Sequence, residues 1–112
     1  MDLPTVKDAM VYLAMRGIYV NNGNPGQVMP HLYRPLVAVN MKETSATKRT
    51  LVACVCGPQD QGRNACEVIA EQVAQHWTAM GGDCKWGEYS FDSKSAMHVV
   101  KVYGVWEKTA SE

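Results

Sequence analysis

Four cysteines and three histidines are the residues of this chain best suited to chemistry. Cys54 and Cys56 stand two positions apart, so on a strand they share one face, and Cys66 follows after a loop and a helical turn. Three thiols can bind zinc, but structural zinc sites usually draw their ligands from Cys-x-x-Cys pairs, and this sequence contains none. The spacing therefore favours free thiols, buried as small apolar side chains, and predicts no metal site.

The histidines, His31, His76 and His98, are candidates for a general base. A base needs a nucleophile or substrate beside it and a carboxylate that orients it. No local motif supplies that arrangement, since His76 stands next to Trp77 in a helical pattern and His98 alternates with apolar residues. We interpret all three as structural residues, and we predict no catalytic residues and no enzyme activity.

The segment Gly57 to Gly62 leads from a predicted strand into a predicted helix, a place where backbone amides can bind an anion. It lacks the Gly-Lys-Ser/Thr ending of a nucleotide-binding P-loop. The Asp60 carboxylate would repel phosphate, and Pro58 has no amide hydrogen. The segment is therefore predicted to be a capped turn, with Asp60 as the N-cap of the following helix, and no cofactor is expected.

The charges of the chain exclude a strongly basic or acidic binding protein. Eleven basic and eleven acidic side chains cancel at neutral pH, so no net field attracts nucleic acid or an anionic membrane. No segment approaches the ~20 consecutive apolar residues that span a bilayer, and the first residues do not resemble a signal peptide. We therefore expect a cytosolic protein whose cysteines stay reduced.

The first half of the chain predicts a helix followed by a hairpin. Apolar residues at three- and four-residue steps predict a helix over residues 4–16. Residues 18–20 can add a short strand before a loop of turn-forming residues that runs to about Pro30. Strands over Leu36–Met41 and Arg49–Cys56 flank a short polar linker, so they are predicted to form an antiparallel hairpin.

The second half predicts a long helix and a second hairpin. The helix covers about residues 61–80, and its apolar stripe is long enough to lie across a small sheet. Strands follow at Cys84–Phe91 and Met97–Trp106, the second of them apolar on both faces, and residues 107–112 form a flexible tail. The pattern predicts a single α+β domain over residues 1–112. Its mostly antiparallel sheet of about four to five strands is covered by the long helix, with a second helix at the N-terminus.

Large aromatic residues concentrate in the last quarter of the chain, where they can build a core, a subunit interface or a base-stacking surface. Nucleic acid is the least favoured of the three, because no arginine flanks these residues. We therefore expect no direct recognition of nucleic acid. Four of the aromatic residues are candidates for an interface: Trp86, Tyr89, Phe91 and Trp106.

The order of these elements resembles that of the small tail-terminator and tail-completion proteins of tailed phages and phage-like contractile particles. The residues that carry the likeness are the early helix around Val6–Met15, the strand Leu36–Met41 and above all the stretch Leu51–Trp106. Within that stretch, the strand Val52–Cys56 passes through a turn into the long helix, and the chain ends on the strand Val99–Trp106. The resemblance covers nearly the whole chain as a pattern and contains no signature motif.

The resemblance implies a structural protein without enzymatic activity. Such proteins assemble as rings, usually hexameric, that cap the tail tube, stop its growth and present a surface to the head or neck. The implied partners are further copies of the chain, the tail tube protein and sheath or neck proteins, with no membrane partner. The implied location is the host cytoplasm during assembly and then the tail of the particle. Terminator and neighbouring connector, and complete phage and defective particle or bacteriocin, all fit equally.

Assembly of this kind would use an exposed edge strand and the predicted hairpin Glu43 to Arg49, because unpaired backbone groups at an edge invite pairing. Lys42, Lys48 and Arg49 can add charge complementarity to an acidic tube end. The alternative interpretation is that these three residues are solvated charges of a hairpin.

Two other classes of function stay open. The first is a regulatory domain that binds a small ligand or nucleotide on its sheet face or at the turn from Gly57 to Gly62. The second is a small hydrolase that uses His76 or His98 with a cysteine, although neither the spacing nor an orienting acid supports it.

Overall fold

A computed structural model describes residues 3–22, 35–58, 60, 62–93 and 96–108 of the chain. These residues form two helices and five strands. The helices are α1 (Val6–Ala14) and α2 (Gly62–Ala79), and the strands are β1 (Val20–Asn22), β2 (Leu36–Thr44), β3 (Lys48–Pro58), β4 (Asp83–Asp92) and β5 (Met97–Glu107).

The five strands form one sheet in the order β1-β2-β3-β5-β4. The four longer strands are antiparallel to their neighbours, and β1 pairs with β2 in parallel. Both predicted hairpins are present, β2 with β3 and β4 with β5. The α+β class, the antiparallel sheet and the two helices are therefore confirmed, and β4 and β1 are the outer strands.

The ends of the elements differ from the predicted ends by a few residues. Strand β2 continues to Thr44, and Glu107 still belongs to β5, where it pairs with Lys48. The amide of Lys108 donates to the carbonyl of Thr47, so the chain remains paired where a flexible tail was expected to begin. The short first strand begins at Val20, two residues later than predicted, and includes Asn21 and Asn22 of the predicted loop. Residues 23–30 of that loop and residues 109–112 lie outside the described residues.

Helix α1 begins with the capping box that its sequence indicates. The Thr5 hydroxyl accepts from the amide of Asp8 at 3.0 Å, and the amide of Thr5 donates to the Asp8 carboxylate at 2.9 Å. These bonds lower the pKa of Asp8. After the helix, Gly17 adopts a φ of +85°, which other residues rarely adopt, and turns the chain toward the sheet.

The core lies between the two helices and one face of the sheet. Both helices and the strands β2, β3 and β5 contribute fully buried apolar residues to it, among them Leu13, Val37, Leu51, Val73 and Val102. The apolar stripe predicted for the long helix is the side of α2 that is buried there, with Cys66, Ala70, Val73 and Trp77. We call this the helix side of the sheet.

The second face of the sheet also carries buried residues. Ala38, Cys54, Cys56 and Met97 form a separate cluster there, with Val52 and Val99 packed against it. Strand β5 therefore contributes apolar side chains to both faces, as its sequence predicts. Its place between β3 and β4 explains that pattern, because an interior strand has neighbours on both sides.

Two tryptophans join α2 to the end of β5. The rings of Trp77 and Trp106 meet edge to face, with centroids 5.4 Å apart. A Cβ atom at Gly104 would lie 2.7 Å from atoms of both rings, so only glycine leaves room for the pair. Among the residues described, the indole nitrogens of Trp77 and Trp106 are the buried side-chain nitrogens without a hydrogen-bond partner. Shape and apolar contact therefore fix this pair.

The variant Gly104→Ala is expected to destabilise the protein by about 1–3 kcal/mol, because a methyl group would overpack the tryptophan pair. Urea unfolding followed by tryptophan fluorescence and circular dichroism measures the change. The control is Lys101→Ala, an exposed position on the same strand, where we expect a change within about 0.5 kcal/mol. Equal unfolding midpoints for the two variants would contradict the close packing described for Gly104.

Candidate interface surfaces

The longest exposed edge of the sheet is β4, which pairs with β5 on one side only. Three of the candidate interface residues lie along it, and all three point to the helix side, because their cross-strand partners are Val102, Val100 and His98. Trp86 is 50% exposed and Phe91 is 43% exposed, whereas Tyr89 is half-buried. The structure therefore brings Trp86, Tyr89 and Phe91 together as an aromatic stripe on an outer strand.

Tyr89 is held in place by neighbours from α2 and β5. Its hydroxyl lies 2.6 Å from Nδ1 of His98, and its ring stacks on the imidazole. The guanidinium of Arg63 lies 4.3 Å from the centre of the Tyr89 ring and also pairs with Glu67. The Phe91 ring packs on His98 from the other side, at 5.2 Å between centroids. The stripe is thus anchored at its Tyr89 and Phe91 end, while Trp86 is the more exposed member.

The hairpin residues occupy different environments. Lys42 and Lys48 are exposed, and the Lys42 ammonium lies 4.4 Å from the centre of the Tyr103 ring. Arg49 is half-buried and donates from Nη1 to the carbonyl of Pro4 at 2.8 Å and from Nε to the hydroxyl of Thr44 at 3.2 Å. Arg49 therefore fastens the start of the chain to the hairpin, and its side chain is not free to meet a partner.

Trp106 is also unavailable as a surface residue. It is 4% exposed and packs against Trp77 in the core. Its position in the sequence, at the end of an alternating strand, is compatible with either side of the sheet. The choice follows from the small residue Gly104, which opens the space that the ring fills.

Strands β2 and β4 each contain a shift of register. On β2 it falls between Met41 and Glu43, at Lys42, and on β4 it falls between Trp86 and Tyr89, at Gly87 and Glu88. These bulges were not predicted from the sequence. Gly87 within a strand pattern is the signal that indicates the second one, because glycine inside a strand often marks a bulge or a close approach. A Cβ atom there would lie 2.7 Å from the Tyr103 ring.

The bulge on β4 borders a shallow depression on the second face of the sheet. It measures about 380 Å³ and is lined by Gly87, Glu88, Ser90, Lys101 and Tyr103. Its walls mix one acid, one base and an aromatic ring. This depression was not predicted from the sequence, since its residues come from two strands whose alignment depends on the register of the hairpin.

The cysteines do not converge. Cys54 and Cys56 belong to the cluster on the second face of the sheet, whereas Cys66 is buried on the helix side. Burial raises the pKa of the Cys56 thiol to about 12 and that of Cys66 to about 11. Burial also raises the pKa values of Cys54 and Cys84. Within the described part of the chain, no group of three or more Cys, His, Asp or Glu side chains could hold a metal ion.

The histidines in the described residues make structural contacts. His76 meets the ring of Tyr12 edge to face, at 6.5 Å between centroids, and so links α2 to α1. The thiol of Cys66 donates to the backbone carbonyl of His98 at 3.6 Å. That bond orders the thiol against the backbone and does not make a cysteine–imidazole pair. His31 lies outside the described residues.

The predicted turn after β3 is described only in part. Gly57 lies close to Cys66, since an added Cβ would come within 2.5 Å of its sulfur atom. Gly62 begins α2 with a φ of +77°. Residues 59 and 61 lie outside the described residues, and so the predicted N-cap role of Asp60 stays a prediction.

Neither helix described here has the length and apolar character needed to cross a membrane. Comparison of the chain with protein-family models and with curated proteins gives no match. The function is therefore inferred from the geometry of the exposed surfaces.

Replacing Arg49 by lysine is expected to destabilise the protein by about 1–2 kcal/mol, because a single ammonium cannot reach both Pro4 and Thr44. Hydrogen exchange of the α1 amides should become faster. The matched control is Lys48→Gln, at the neighbouring exposed position, with a change within about 0.5 kcal/mol. If both variants behaved alike, Arg49 would be a solvated charge of the hairpin.

The thiols are expected to react slowly with a disulfide reagent at pH 8 in the native protein and to react fully in guanidinium chloride. Cys84, the least buried of the four, should react first, and Cys84→Ser should remove that phase while Cys54→Ser keeps it. Since the folded pKa values lie above the ordinary value of 9.0, stability should fall as pH rises above about 9, where unfolded thiols ionise. Rapid native labelling of Cys54 or Cys66 would show that these thiols are accessible.

Proposed function

We propose that this protein is a non-enzymatic structural component of a phage or phage-like tail. It forms a ring that caps the tail tube and either terminates the tail or joins it to the head or neck. Its partners are further copies of itself, the tail tube protein and sheath or neck proteins. It acts in the host cytoplasm during assembly and then in the tail of the particle. The order of helices and hairpins that resembles this family supports the proposal.

The observation that carries the proposal is the outer strand β4. It has ten residues, its outer side has no neighbour among the described strands, and it presents the aromatic stripe of Trp86, Tyr89 and Phe91. Aromatic residues are enriched at protein interfaces, where they bury large areas with few rotatable bonds. An edge of this kind fits a protein whose work is to contact other subunits.

The hairpin of β2 and β3 supports the proposal as a second contact surface. Lys42 and Lys48 are exposed there, and Arg49 ties its base to the start of the chain. The hairpin is therefore a firmly held basic surface. Its charges are available to a neighbouring subunit or to an acidic tube end.

The chemistry of the described residues also fits a structural protein. The three most buried cysteines are poor nucleophiles, because burial raises their pKa values well above neutral pH. His76 and His98 pack on aromatic rings from neighbouring elements. These side chains serve packing where a hydrolase would need them aligned on a substrate.

One observation favours the alternative, a regulatory domain that binds a small ligand or nucleotide. The depression beside Lys101 and Tyr103 offers an aromatic ring, a cation and a hydroxyl group from Ser90. It is shallow, and none of its five lining residues is fully buried. A nucleotide that raised the melting temperature of the wild-type protein, and not that of Lys101→Ala, would favour this alternative.

Light scattering over a range of concentrations, with negative-stain electron microscopy, tests the ring. We expect a discrete mass several times that of the 12.4 kDa chain, near six times if the ring is hexameric, and closed rings in the images. A strict monomer at all concentrations, together with failure to bind purified tail tubes, would overturn the proposal.

The variant Trp86→Glu is expected to reduce assembly, since it removes the most exposed aromatic residue of β4 and adds a charge. Its matched control is Val68→Glu, which adds the same charge at an apolar residue 55% exposed on α2. Circular dichroism checks that both variants fold. Equal loss of assembly in the two would show that β4 is not the contact surface.

A further inference from the structure

The outer strand β4 and the β2–β3 hairpin carry opposite charge. Strand β4 has three acidic residues, Asp83, Glu88 and Asp92, against one basic residue, Lys85. The β2–β3 hairpin has three basic residues against one acidic residue: Lys42, Lys48 and Arg49 against Glu43. Strand β5, between them, balances Lys101 with Glu107. Although the net charge of the chain is zero, the formal charge across the sheet changes from −2 at β4 to +2 at the hairpin.

We propose that copies of this chain associate head to tail, with the acidic β4 edge of one copy against the basic hairpin of the next. The inference rests on the proposed ring and names the surfaces that would build it. The partner is therefore a second copy of the same chain, and the contact is heterologous, using two different surfaces.

Charge excludes the symmetric arrangements. A two-fold contact between two β4 edges would bring −2 against −2, and a contact between two hairpins would bring +2 against +2. Like charges placed together at an interface cost several kcal/mol, whereas opposite charges steer the correct encounter. Only the head-to-tail arrangement pairs opposite signs at every contact.

The bulges determine what kind of contact this is. Bulges and charged side chains at sheet edges prevent indiscriminate strand pairing. Both proposed contact surfaces have them: Lys42 occupies the bulge of β2, and Glu88 lies in the bulge of β4. A continuous ladder of backbone hydrogen bonds is therefore interrupted on both sides. The contact forms through side chains, with Lys42 and Glu88 as oppositely charged residues at matching irregularities.

An apolar pair accompanies the charges. Met41 precedes Lys42 and is 44% exposed, and Trp86 stands two positions before Glu88. Met41 is opposite Leu51 and Trp86 is opposite Val102, and both of those partners are buried in the core on the helix side. Met41 and Trp86 therefore face the same side of the sheet. In a side-chain contact between β4 and the hairpin that keeps this side in common, the thioether of one copy meets the indole of the other.

Charge-reversal variants test the arrangement. The hairpin variant, Lys42→Glu with Lys48→Glu, changes the hairpin from +2 to −2, and the edge variant, Asp83→Lys with Glu88→Lys, changes β4 from −2 to +2. All four residues are exposed. Arg49 is left unchanged because it holds the start of the chain.

We expect each variant alone to associate roughly a hundredfold more weakly than the wild type in low salt, because every contact then joins like charges. An equal mixture of the two should regain the wild-type mass, since hairpins and edges of opposite charge now alternate around the assembly. Wild-type association should weaken as salt rises from about 0.05 to 0.5 M. The control is Val68→Glu with Glu71→Lys on the exposed side of α2, which should leave the mass unchanged.

The outcomes separate the contact from the ring. If the mixture associates as weakly as either variant alone, the head-to-tail contact is overturned. It is also overturned if the hairpin variant associates as strongly as the wild type and the edge variant associates best with the wild type. Wild-type rings that persist with both variants overturn the inference and leave the proposed function standing. Association that follows the charge rules but gives open filaments that do not bind tail tubes confirms the contact and contradicts the capping ring.

Discussion

The packing of Trp77 against Trp106 over Gly104 is the contact on which the rest of the structure depends. It fixes the end of α2 to β5, and β5 is the strand that joins β3 to β4. Through it, α2 is fixed over one face of the sheet at the strand that also pairs with the outer strand β4. Because the two indole nitrogens have no hydrogen-bond partner in the described part of the protein, this contact depends on shape alone. A small change of side-chain volume at this contact would therefore displace β5 and with it the paired strand β4.

The residues that this packing leaves exposed are the ones available for contacts with other proteins. Trp106 fills the core, whereas Trp86, on the neighbouring strand, remains half-exposed. The same division separates the hairpin cations, since Arg49 is half-buried and hydrogen-bonded within the fold, whereas Lys42 and Lys48 are exposed. A structural protein contacts its neighbours through exposed residues that are not needed for packing within the fold. The opposite charges of β4 and the β2–β3 hairpin then orient one copy of the chain relative to the next.

Periodicity predicted the larger features of the fold well. The long helix and both hairpins were predictable because apolar residues repeat at helical spacing before Ala79 and turn residues separate the strands. Thr5 and Asp8 likewise indicated the start of α1. Such local signals depend on neighbouring residues, and a single sequence contains them in full.

Features that depend on distant residues were harder to predict. Whether Trp106 faces the core depends on Gly104 and on a helix far away in the sequence. From the sequence, Arg49 is interpreted as a charge of the hairpin, because its hydrogen bond to Pro4, just before α1, depends on the tertiary fold. The bulges at Lys42 and Glu88 arise from pairing with partner strands, so a one-strand pattern cannot reveal them. The separation of Cys54 and Cys66 onto opposite sides of the sheet is of the same kind.

The strand order has a consequence for synthesis of the chain. Strand β3 pairs early with β2 through a short hairpin, but its other neighbour, β5, is made only after α2 and β4. Until β5 arrives, eleven residues of a largely apolar strand have one side without a partner. The nascent protein therefore passes through an interval in which its future central strand is a temporary edge, open to pairing with other unfinished chains.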